Sequence, residues 1–150
     1  TLLQHADRVR AASLAQLVNV IAPIMTEPGG PAWRQTTFFP FALTSRLAGG
    51  RAVAVEVDGP SFVSARFGEV PAVNAVATID DDGATVFVVN RSTTDSVDVA
   101  LDLAACGSDL AVVEAQLLHD EDPHAVNTLG ATDRVAPRAL EGPPRRRLAR

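Results

Sequence analysis

The stretch "VPAVNAVATIDDDGATVFVVNRS", residues 70–92, contains two apolar runs on either side of an acidic turn. Residues 70–80 and 84–92 are typical of strands because Val, Ile, Phe and Thr recur in them. The "DDDG" at 80–83 supplies the Asp and Gly residues that favour hairpin turns. The stretch therefore predicts two strands joined by a tight turn.

Other strand-like segments lie on both sides of this hairpin. Residues 51–57 alternate apolar and polar side chains, residues 96–103 alternate Asp with Val and Leu, and residues 110–120 form a third segment. Short strands at roughly 12-residue spacing, separated by Gly, Asp and Ser clusters, are typical of an antiparallel sandwich. The alternation indicates that one face of its sheet is solvated. We therefore expect a mainly β fold, an antiparallel β-sandwich, over residues 50–150.

The first fifty residues have a different pattern. Residues 1–19 have helical period, and "VNVIAPIM" at 18–25 is apolar at nearly every position, as in a strand buried in a parallel sheet. "TEPGGPA" at 26–32 ends this strand, and residues 33–48 contain a second predicted helix that stops at a Gly pair. The order helix, strand, loop, helix indicates a slice of an alternating α/β fold.

The two patterns meet near Gly49-Gly50, so we expect one domain over 1–49 and another over 50–150. An α/β slice of fifty residues cannot bury its own strand and needs neighbours on both sides. The chain also begins without Met or a leader-like segment. We therefore expect that it is cut from a longer protein.

The composition limits the classes of function. Hydrophobic residues make up 47% of the chain and charged residues 21%, which indicates a globular protein. The net charge of −5 argues against a nucleic-acid partner, and we interpret the basic run "PPRRRLAR" at 143–150 as a solvated tail rather than a nucleic-acid patch. There is no apolar run long enough for a transmembrane helix, so no membrane partner is expected.

The residues that could carry chemistry are few. Cys106 is the only cysteine, and we expect it to be an inert small residue. "HDEDPH" at 119–124 could bind a cation, but its spacing suits a polar hairpin loop better than a metal site. Glu27 ends the predicted buried strand, where barrel enzymes keep their chemistry, but no second carboxylate stands near it in the sequence. We find no nucleophile motif and expect no metal and no cofactor.

The stretch "AWRQTTFFPF" at 32–41 is the best candidate for a binding site. It holds the only Trp and three of the six Phe residues beside a Gly/Pro loop. The indole of Trp33 could pack on a sugar ring, and the amide of Gln35 could both donate to and accept from hydroxyl groups. Equally, Trp33 could cap a barrel and Gln35 could cap the next helix. The residues alone leave both alternatives open.

Three segments resemble glycoside hydrolase family 51 α-L-arabinofuranosidases. "HADRVRAASLAQLVNVIAPIMTEPGGPAWRQTTFFPF" at 5–41 resembles the end of that family's catalytic barrel. Residues 70–92 resemble the first well-marked strands of its C-terminal β-sandwich. "DPHAVNTLGATDRVAP" at 122–137 resembles a late loop that is usually written around an "N-T" and a "V-x-P". The resemblance covers nearly the whole chain.

The resemblance implies a (β/α)₈ barrel followed by a jelly-roll-like sandwich. It implies an enzyme of L-arabinose metabolism that removes terminal non-reducing α-L-arabinofuranosyl groups from arabinoxylan and arabinan with retention of configuration. The family's acid/base and nucleophile Glu residues would both lie upstream of Thr1, so no catalytic residue is expected in this chain. Gln35 would hydrogen-bond the arabinose in the −1 subsite, with Trp33 as a second candidate contact.

The same resemblance implies the partners: an arabinose-containing oligosaccharide, the rest of the catalytic barrel, and further copies in a homo-oligomer, a hexamer in the family. We expect a cytoplasmic protein. The chain stops where family members usually continue to a final strand, so the sandwich is expected to lack its last strand and the fragment to be inactive alone.

Two other functions compete with this one. The first is a stand-alone carbohydrate-binding β-sandwich, which the scarcity of aromatic residues after position 50 disfavours, since only Phe62, Phe67 and Phe87 occur there. The second is a structural module for oligomer assembly.

Overall fold

The computed structural model describes residues 2–106 and 110–140. These residues form short antiparallel strands, one α-helix and two 3₁₀ turns. The strands are β1 Ile24–Thr26, β2 Ala32–Arg34, β3 Arg51–Val53, β4 Ser61–Ser64, β5 Gly68–Pro71, β6 Val73–Ile79, β7 Ala84–Asn90, β8 Gln116–Leu117 and β9 Arg138–Ala139. The helix is α1 Phe38–Leu47. The expected mainly β, antiparallel architecture is confirmed.

The contacts divide the chain into two compact units, each made of two segments. The first unit takes Thr1–Ala12 with Leu47–Cys106, and the second takes Ser13–Arg46 with Gly107–Arg150. Each unit therefore combines residues from both sides of the expected boundary at 49 and 50. That boundary stays a prediction about the domains of the whole protein.

The first unit is built on a three-stranded sheet in the order β3-β6-β7. β6 lies between two antiparallel partners, and it supplies most of this unit's buried apolar side chains. The predicted hairpin is confirmed, with Ile79 opposite Ala84 and Val76 opposite Phe87. The Asp80 carboxylate accepts from the backbone N–H groups of Asp82 and Gly83 at 3.0 and 3.1 Å, which closes the turn.

Gly50 lies directly before β3 and packs against the end of β6. Its φ is +66°, a conformation that disfavours side chains, and an added Cβ would overlap the carbonyl oxygen of Ile79. The Gly pair at 49 and 50 therefore does more than end α1, because Gly50 also lets β3 approach the central strand.

The second unit contains β1, β2, α1, β8 and β9. β1 and β2 form an antiparallel hairpin with Met25 opposite Trp33, and β8 pairs with β9. α1 starts where the Phe38 N–H donates to the Gln35 carbonyl at 3.0 Å, and Phe39 is its buried residue. Pro40 lies in the first turn, where its missing N–H costs no helical hydrogen bond. The helix predicted within residues 33–48 is confirmed.

The helix predicted over residues 1–19 is wrong. Only the 3₁₀ turn Leu3–His5 forms there, and Gln16 and Asn19 have φ values of 61° and 62°. The apolar residue Leu17 is 77% exposed. A short helix is marginal unless its apolar face is packed, and this face is not covered within the described residues.

The buried parallel strand predicted at 18–25 is also wrong. Val20 and Ile21 are exposed, and β1 begins only at Ile24. The turn that contains Gly29, whose φ is +68°, brings the chain back at once to pair antiparallel with β1. Pairing with the next segment closes a short loop, whereas a parallel partner needs a long crossover. The helix-strand-helix order is therefore not observed, and the barrel stays a prediction about the whole protein.

The strand predicted at 96–103 is absent from the described residues, and the one at 110–120 is reduced to β8. After β7 the Asn90 side chain donates to the Asp95 carbonyl at 2.8 Å and accepts from the Ser92 N–H at 2.9 Å. These bonds close a turn directly after β7, and residues 96–103 pair with no strand among those that the structure describes. Conversely, the β4–β5 hairpin was not predicted. The basic run at 143–150 lies outside the described residues, and the expected lack of a last strand stays a prediction.

Candidate functional site

The two predicted site residues lie where the β1–β2 hairpin leads into α1. Trp33 is half-buried in β2, between the exposed residues Ala32 and Arg34. Gln35 follows β2 directly, and its N–H donates to the Pro23 carbonyl at 2.8 Å. The Gln35 carbonyl accepts from the first residue of α1. The backbone of Gln35 is thus held on both sides, which leaves only its side chain free to be directed by other contacts.

Asn127 lies at the centre of this region and is only 1% exposed. Its side-chain Nδ2 donates to the carbonyls of Arg34 and Val135, both at 2.9 Å. Its Oδ1 accepts from the Val135 N–H at 2.8 Å. Both donor hydrogens and the acceptor of the amide are used, so the side chain has one orientation.

The backbone carbonyl of Asn127 accepts a hydrogen bond from each of the two predicted site residues. Trp33 donates to it through Nε1 at 3.2 Å, and Gln35 donates through Nε2 at 3.0 Å. We call the group of Trp33, Arg34, Gln35, Asn127 and Val135 the Asn127 clamp. It joins positions that are 92 residues apart in the sequence.

The clamp leaves one polar atom of Gln35 available. The described residues provide no hydrogen-bond partner for Oε1, and Gln35 is partly exposed. A carbonyl can only accept, so Nε2 must face Asn127 and Oε1 must point away from it. The clamp therefore presents an acceptor to any ligand that binds here.

A shallow groove borders the clamp on the side of α1. The Arg34 guanidinium lies 5.6 and 5.5 Å from the ring centres of Phe38 and Phe39, within cation–π range. The groove has a volume of about 340 Å³, and Asp133 and Pro137 contribute to its wall. Its lining combines an aromatic surface with charged groups of both signs.

Ion pairs fix the loop that follows β8. Arg134 makes two hydrogen bonds of 3.1 Å to Asp120 and one of 3.3 Å to Asp122. The hydrogen bonds from Arg134 hold the pKa of the Asp120 carboxyl below its ordinary value, and Asp120 in turn raises the pKa of Arg134. Because Val135 is the next residue, this loop also carries one end of the clamp.

A second ion pair joins α1 to the segment before β8. Arg46 contacts both carboxylate oxygens of Glu114, at 2.7 and 3.3 Å. The hydrogen bond from Arg46 lowers the pKa of Glu114, and the same bond raises the pKa of Arg46. Both side chains are exposed, so the pair orients the helix end more than it stabilises the fold.

Comparison with known proteins identifies the family. The sequence model described as the α-L-arabinofuranosidase C-terminal domain matches residues 1–147. The chain belongs to this family. The resemblance to glycoside hydrolase family 51 is thereby confirmed.

Relatives and solved structures agree with this assignment. An exo-α-(1→6)-L-arabinofuranosidase of Bifidobacterium longum is 56% identical over 137 residues, covering 90% of this chain and 26% of its own. An intracellular exo-α-(1→5)-L-arabinofuranosidase of Streptomyces lividans is 52% identical over 143 residues, covering 94% of this chain and 21% of its own. The structure of a family 51 α-L-arabinofuranosidase from Bifidobacterium longum matches with a TM-score of 0.81 and 44% identity, over 93% of this chain and 27% of that one. The chain thus spans about a quarter of the length of these family members.

The other residues that the sequence analysis considered as candidates lie in turns and loops of the structure. Glu27 is exposed in the β1–β2 turn, where its backbone bonds Gly30 and Pro31. Asp120 and Asp122 contact Arg134, and the described residues hold no cluster of three or more His, Cys, Asp or Glu with metal-binding geometry. Cys106 ends a 3₁₀ turn and is partly exposed. Among the described residues there is also no helix with the length and apolarity needed to cross a membrane.

Sequence reasoning missed Asn127 as a site residue. The signal was present in the "N-T" and "V-x-P" of the family's late loop, which correspond to Asn127-Thr128 and to Val135 with Pro137. A polar residue in an exposed-looking loop gives no local sign that it will be buried. Only the fold reveals that Asn127 and Val135 bond each other and that Asn127 reaches β2.

Proposed function

We propose that the chain is the C-terminal part of a retaining α-L-arabinofuranosidase, an enzyme of L-arabinose metabolism. The enzyme would remove terminal non-reducing α-L-arabinofuranosyl groups from arabinan and arabinoxylan oligosaccharides. The observation that carries the proposal is the family match over residues 1–147, together with relatives that are named exo-acting arabinofuranosidases.

Gln35 is the residue of this chain that contacts the sugar. Its side chain is partly exposed, and Oε1 is directed away from the Asn127 carbonyl. A furanose hydroxyl is a donor that suits this acceptor. Trp33 is the second candidate, although its Nε1 is bonded to Asn127 and only its ring faces could pack on a sugar.

The catalytic machinery lies outside this chain. Retaining hydrolysis needs two carboxyl groups about 5 Å apart, one as acid/base and one as nucleophile. Glu27 is isolated in a turn and suits neither role. In the whole enzyme, residues 1–49 complete the catalytic barrel and residues 50–150 belong to the β-sandwich.

The enzyme acts in the cytoplasm and assembles as a homo-oligomer. The location is supported by relatives from Streptomyces lividans and Bifidobacterium longum whose names include the word intracellular. The homo-oligomer is proposed from the family resemblance alone.

An assay of two proteins tests this proposal. The full-length enzyme and the 150-residue chain are each incubated with 4-nitrophenyl α-L-arabinofuranoside. We expect release of nitrophenol by the full-length enzyme and none by the chain. Release by the chain alone would place the catalytic carboxylates within it, and no release by the full-length enzyme would remove the proposed activity.

A role in assembly is the second candidate function. Leu17, Val20 and Ile21 are apolar and strongly exposed, which favours a surface that is covered in a larger structure. Light scattering tests this role. A full-length enzyme that is a clean monomer would exclude oligomer assembly.

A further inference from the structure

We propose that Asn127 is a positioning residue that fixes which end of the Gln35 amide faces the substrate. This inference rests on the proposed function, because it assigns a role in the site where Gln35 contacts the sugar. Asn127 itself is too buried to touch a ligand, so its effect passes through Gln35.

The side-chain amide of Gln35 has two possible orientations. The terminal torsion of a Gln side chain is broad and nearly two-fold, so its oxygen and nitrogen can exchange places at little cost. An amide with two orientations would present a donor or an acceptor to the substrate with similar frequency. A selective site has to remove one of these orientations.

The backbone carbonyl of Asn127 excludes one of the two orientations of the Gln35 amide. The Asn127 carbonyl lies 3.0 Å from Nε2 of Gln35 and accepts a second bond from Trp33 at 3.2 Å. A flipped Gln35 would bring Oε1 against this carbonyl, so two acceptors would face each other. The unflipped amide therefore dominates, and Oε1 is the atom presented to the ligand.

The Asn127 carbonyl is held in place by the hydrogen bonds of the Asn127 side chain. The side chain of Asn127 holds the end of β2 through the Arg34 carbonyl and holds the following loop through both backbone groups of Val135. Because all three polar positions of this buried amide are bonded, the backbone at residue 127 cannot rotate without breaking them. The clamp thus specifies a ligand group that donates a hydrogen bond, such as a sugar hydroxyl.

Asn127→Asp is the sharpest variant, since it keeps the size and changes one atom. The substitution replaces Nδ2 by an oxygen that faces the carbonyls of Arg34 and Val135, which accept and cannot donate. Asn90→Asp is the matched control, because Asn90 also bonds backbone groups through its amide but is exposed and belongs to the other unit.

A double-mutant cycle in the full-length enzyme tests the role. We measure kcat/KM on 4-nitrophenyl α-L-arabinofuranoside for wild type, Asn127→Asp, Gln35→Ala and the double variant. We expect Asn127→Asp to lower kcat/KM about tenfold when Gln35 is present and less than twofold when it is Ala. Asn90→Asp should leave both backgrounds unchanged. An equal loss in both backgrounds, or no loss when Gln35 is present, would overturn the proposal.

Gln35→Glu provides a second test if the Asp variant does not fold. A protonated Glu can donate to the Asn127 carbonyl, whereas a carboxylate cannot. We therefore expect kcat/KM of this variant, relative to wild type, to rise as the pH falls from 7 to 5. A ratio that is constant over this range would contradict the proposal.

Crystal structures separate failure of this inference from failure of the proposed function. An inactive wild-type enzyme would refute the proposed function, but the geometry of the clamp could still be measured. In that case the distance from Nε2 of Gln35 to the carbonyl of residue 127 decides, since we expect it to exceed hydrogen-bond range in Asn127→Asp and to be retained in Asn90→Asp. An unchanged distance would refute the positioning role.

Discussion

The β6–β7 hairpin and the Asn127 clamp are held together in opposite ways. The hairpin joins neighbouring residues through a four-residue turn, and its strands carry mostly apolar side chains in a continuous antiparallel register. The clamp joins Arg34 at the end of β2 to a loop 93 residues away through the buried side-chain amide of Asn127. The hairpin depends on many similar contacts, whereas the clamp depends on a few that cannot be replaced.

This difference predicts where the chain is sensitive to substitution. Apolar contacts are numerous and adjust to small changes, but a buried backbone group that loses its only partner has no substitute. Loss of the clamp should therefore cost more than a backbone clash in the sheet, and both should cost more than loss of a surface turn. The following substitutions test this order.

Asn127→Ala should have the largest effect on stability. The change leaves both backbone groups of Val135 and the carbonyl of Arg34 without their bonds to this side chain. We expect the free energy of unfolding to fall by about 3 kcal/mol, measured by urea denaturation. Asn90→Ala should lower it by less than about 1 kcal/mol, because Asn90 is exposed. Similar losses of stability for the two variants would contradict the conclusion that the clamp depends on the buried side chain of Asn127.

Gly50→Ala tests the sheet of the first unit. The new Cβ would overlap the Ile79 carbonyl, and Gly50 has a φ of +66°. We expect a loss of about 2 kcal/mol in the free energy of unfolding. Gly59→Ala is the control, since a Cβ there meets nothing within 4 Å, and it should change stability by less than about 0.5 kcal/mol. A neutral Gly50→Ala would mean that β3 does not approach β6 as described.

Asp80→Ala tests the turn of the hairpin. The carboxylate accepts two backbone N–H bonds at the surface, so its loss should cost about 1 kcal/mol by urea denaturation. Asp81→Ala carries the same charge change without these bonds and should cost less than about 0.5 kcal/mol. If both variants lose the same amount, the turn depends on charge rather than on the hydrogen bonds.

The Arg134–Asp120 pair should give the smallest effect and a pH signature. The pKa of Asp120 is lowered in the folded state, so its stabilising contribution is present above the ordinary Asp range near pH 4 and is lost as the pH falls below it. We expect Arg134→Gln to lower Tm by a few degrees at most at pH 6. The difference from wild type should shrink towards pH 3, and a difference that grows on acidification would have the wrong sign.

The sequence predicts the parts of this fold that depend on local pattern. The β6–β7 hairpin and α1 were expected because alternation, turn residues and a helix stop lie within a few residues of one another. The helix over 1–19 and the strand at 18–25 were wrong because their apolar faces indicate burial but not what would bury them. Leu17 and Val20 remain exposed in the described chain.

Only the part of the candidate site that shows a local sequence pattern was predicted. Trp33 and Gln35 stand out because polar and aromatic residues cluster beside a Gly/Pro loop. Asn127 does not stand out, since its partners are Arg34, Val135 and the two site residues, most of them distant in sequence. A hydrogen-bond network of this kind becomes visible only when the fold brings its segments together.

In the proposed function, Gln35 is held by the clamp and contacts the sugar in the transition state. The direct measurement is kcat/KM of Gln35→Ala in the full-length enzyme on an aryl α-L-arabinofuranoside, beside Thr37→Ala as an exposed neighbouring control. We expect Gln35→Ala to lose about 1–3 kcal/mol of transition-state stabilisation and Thr37→Ala to match wild type. Wild-type kinetics for a folded Gln35→Ala enzyme would contradict the account and leave Gln35 with a structural role only.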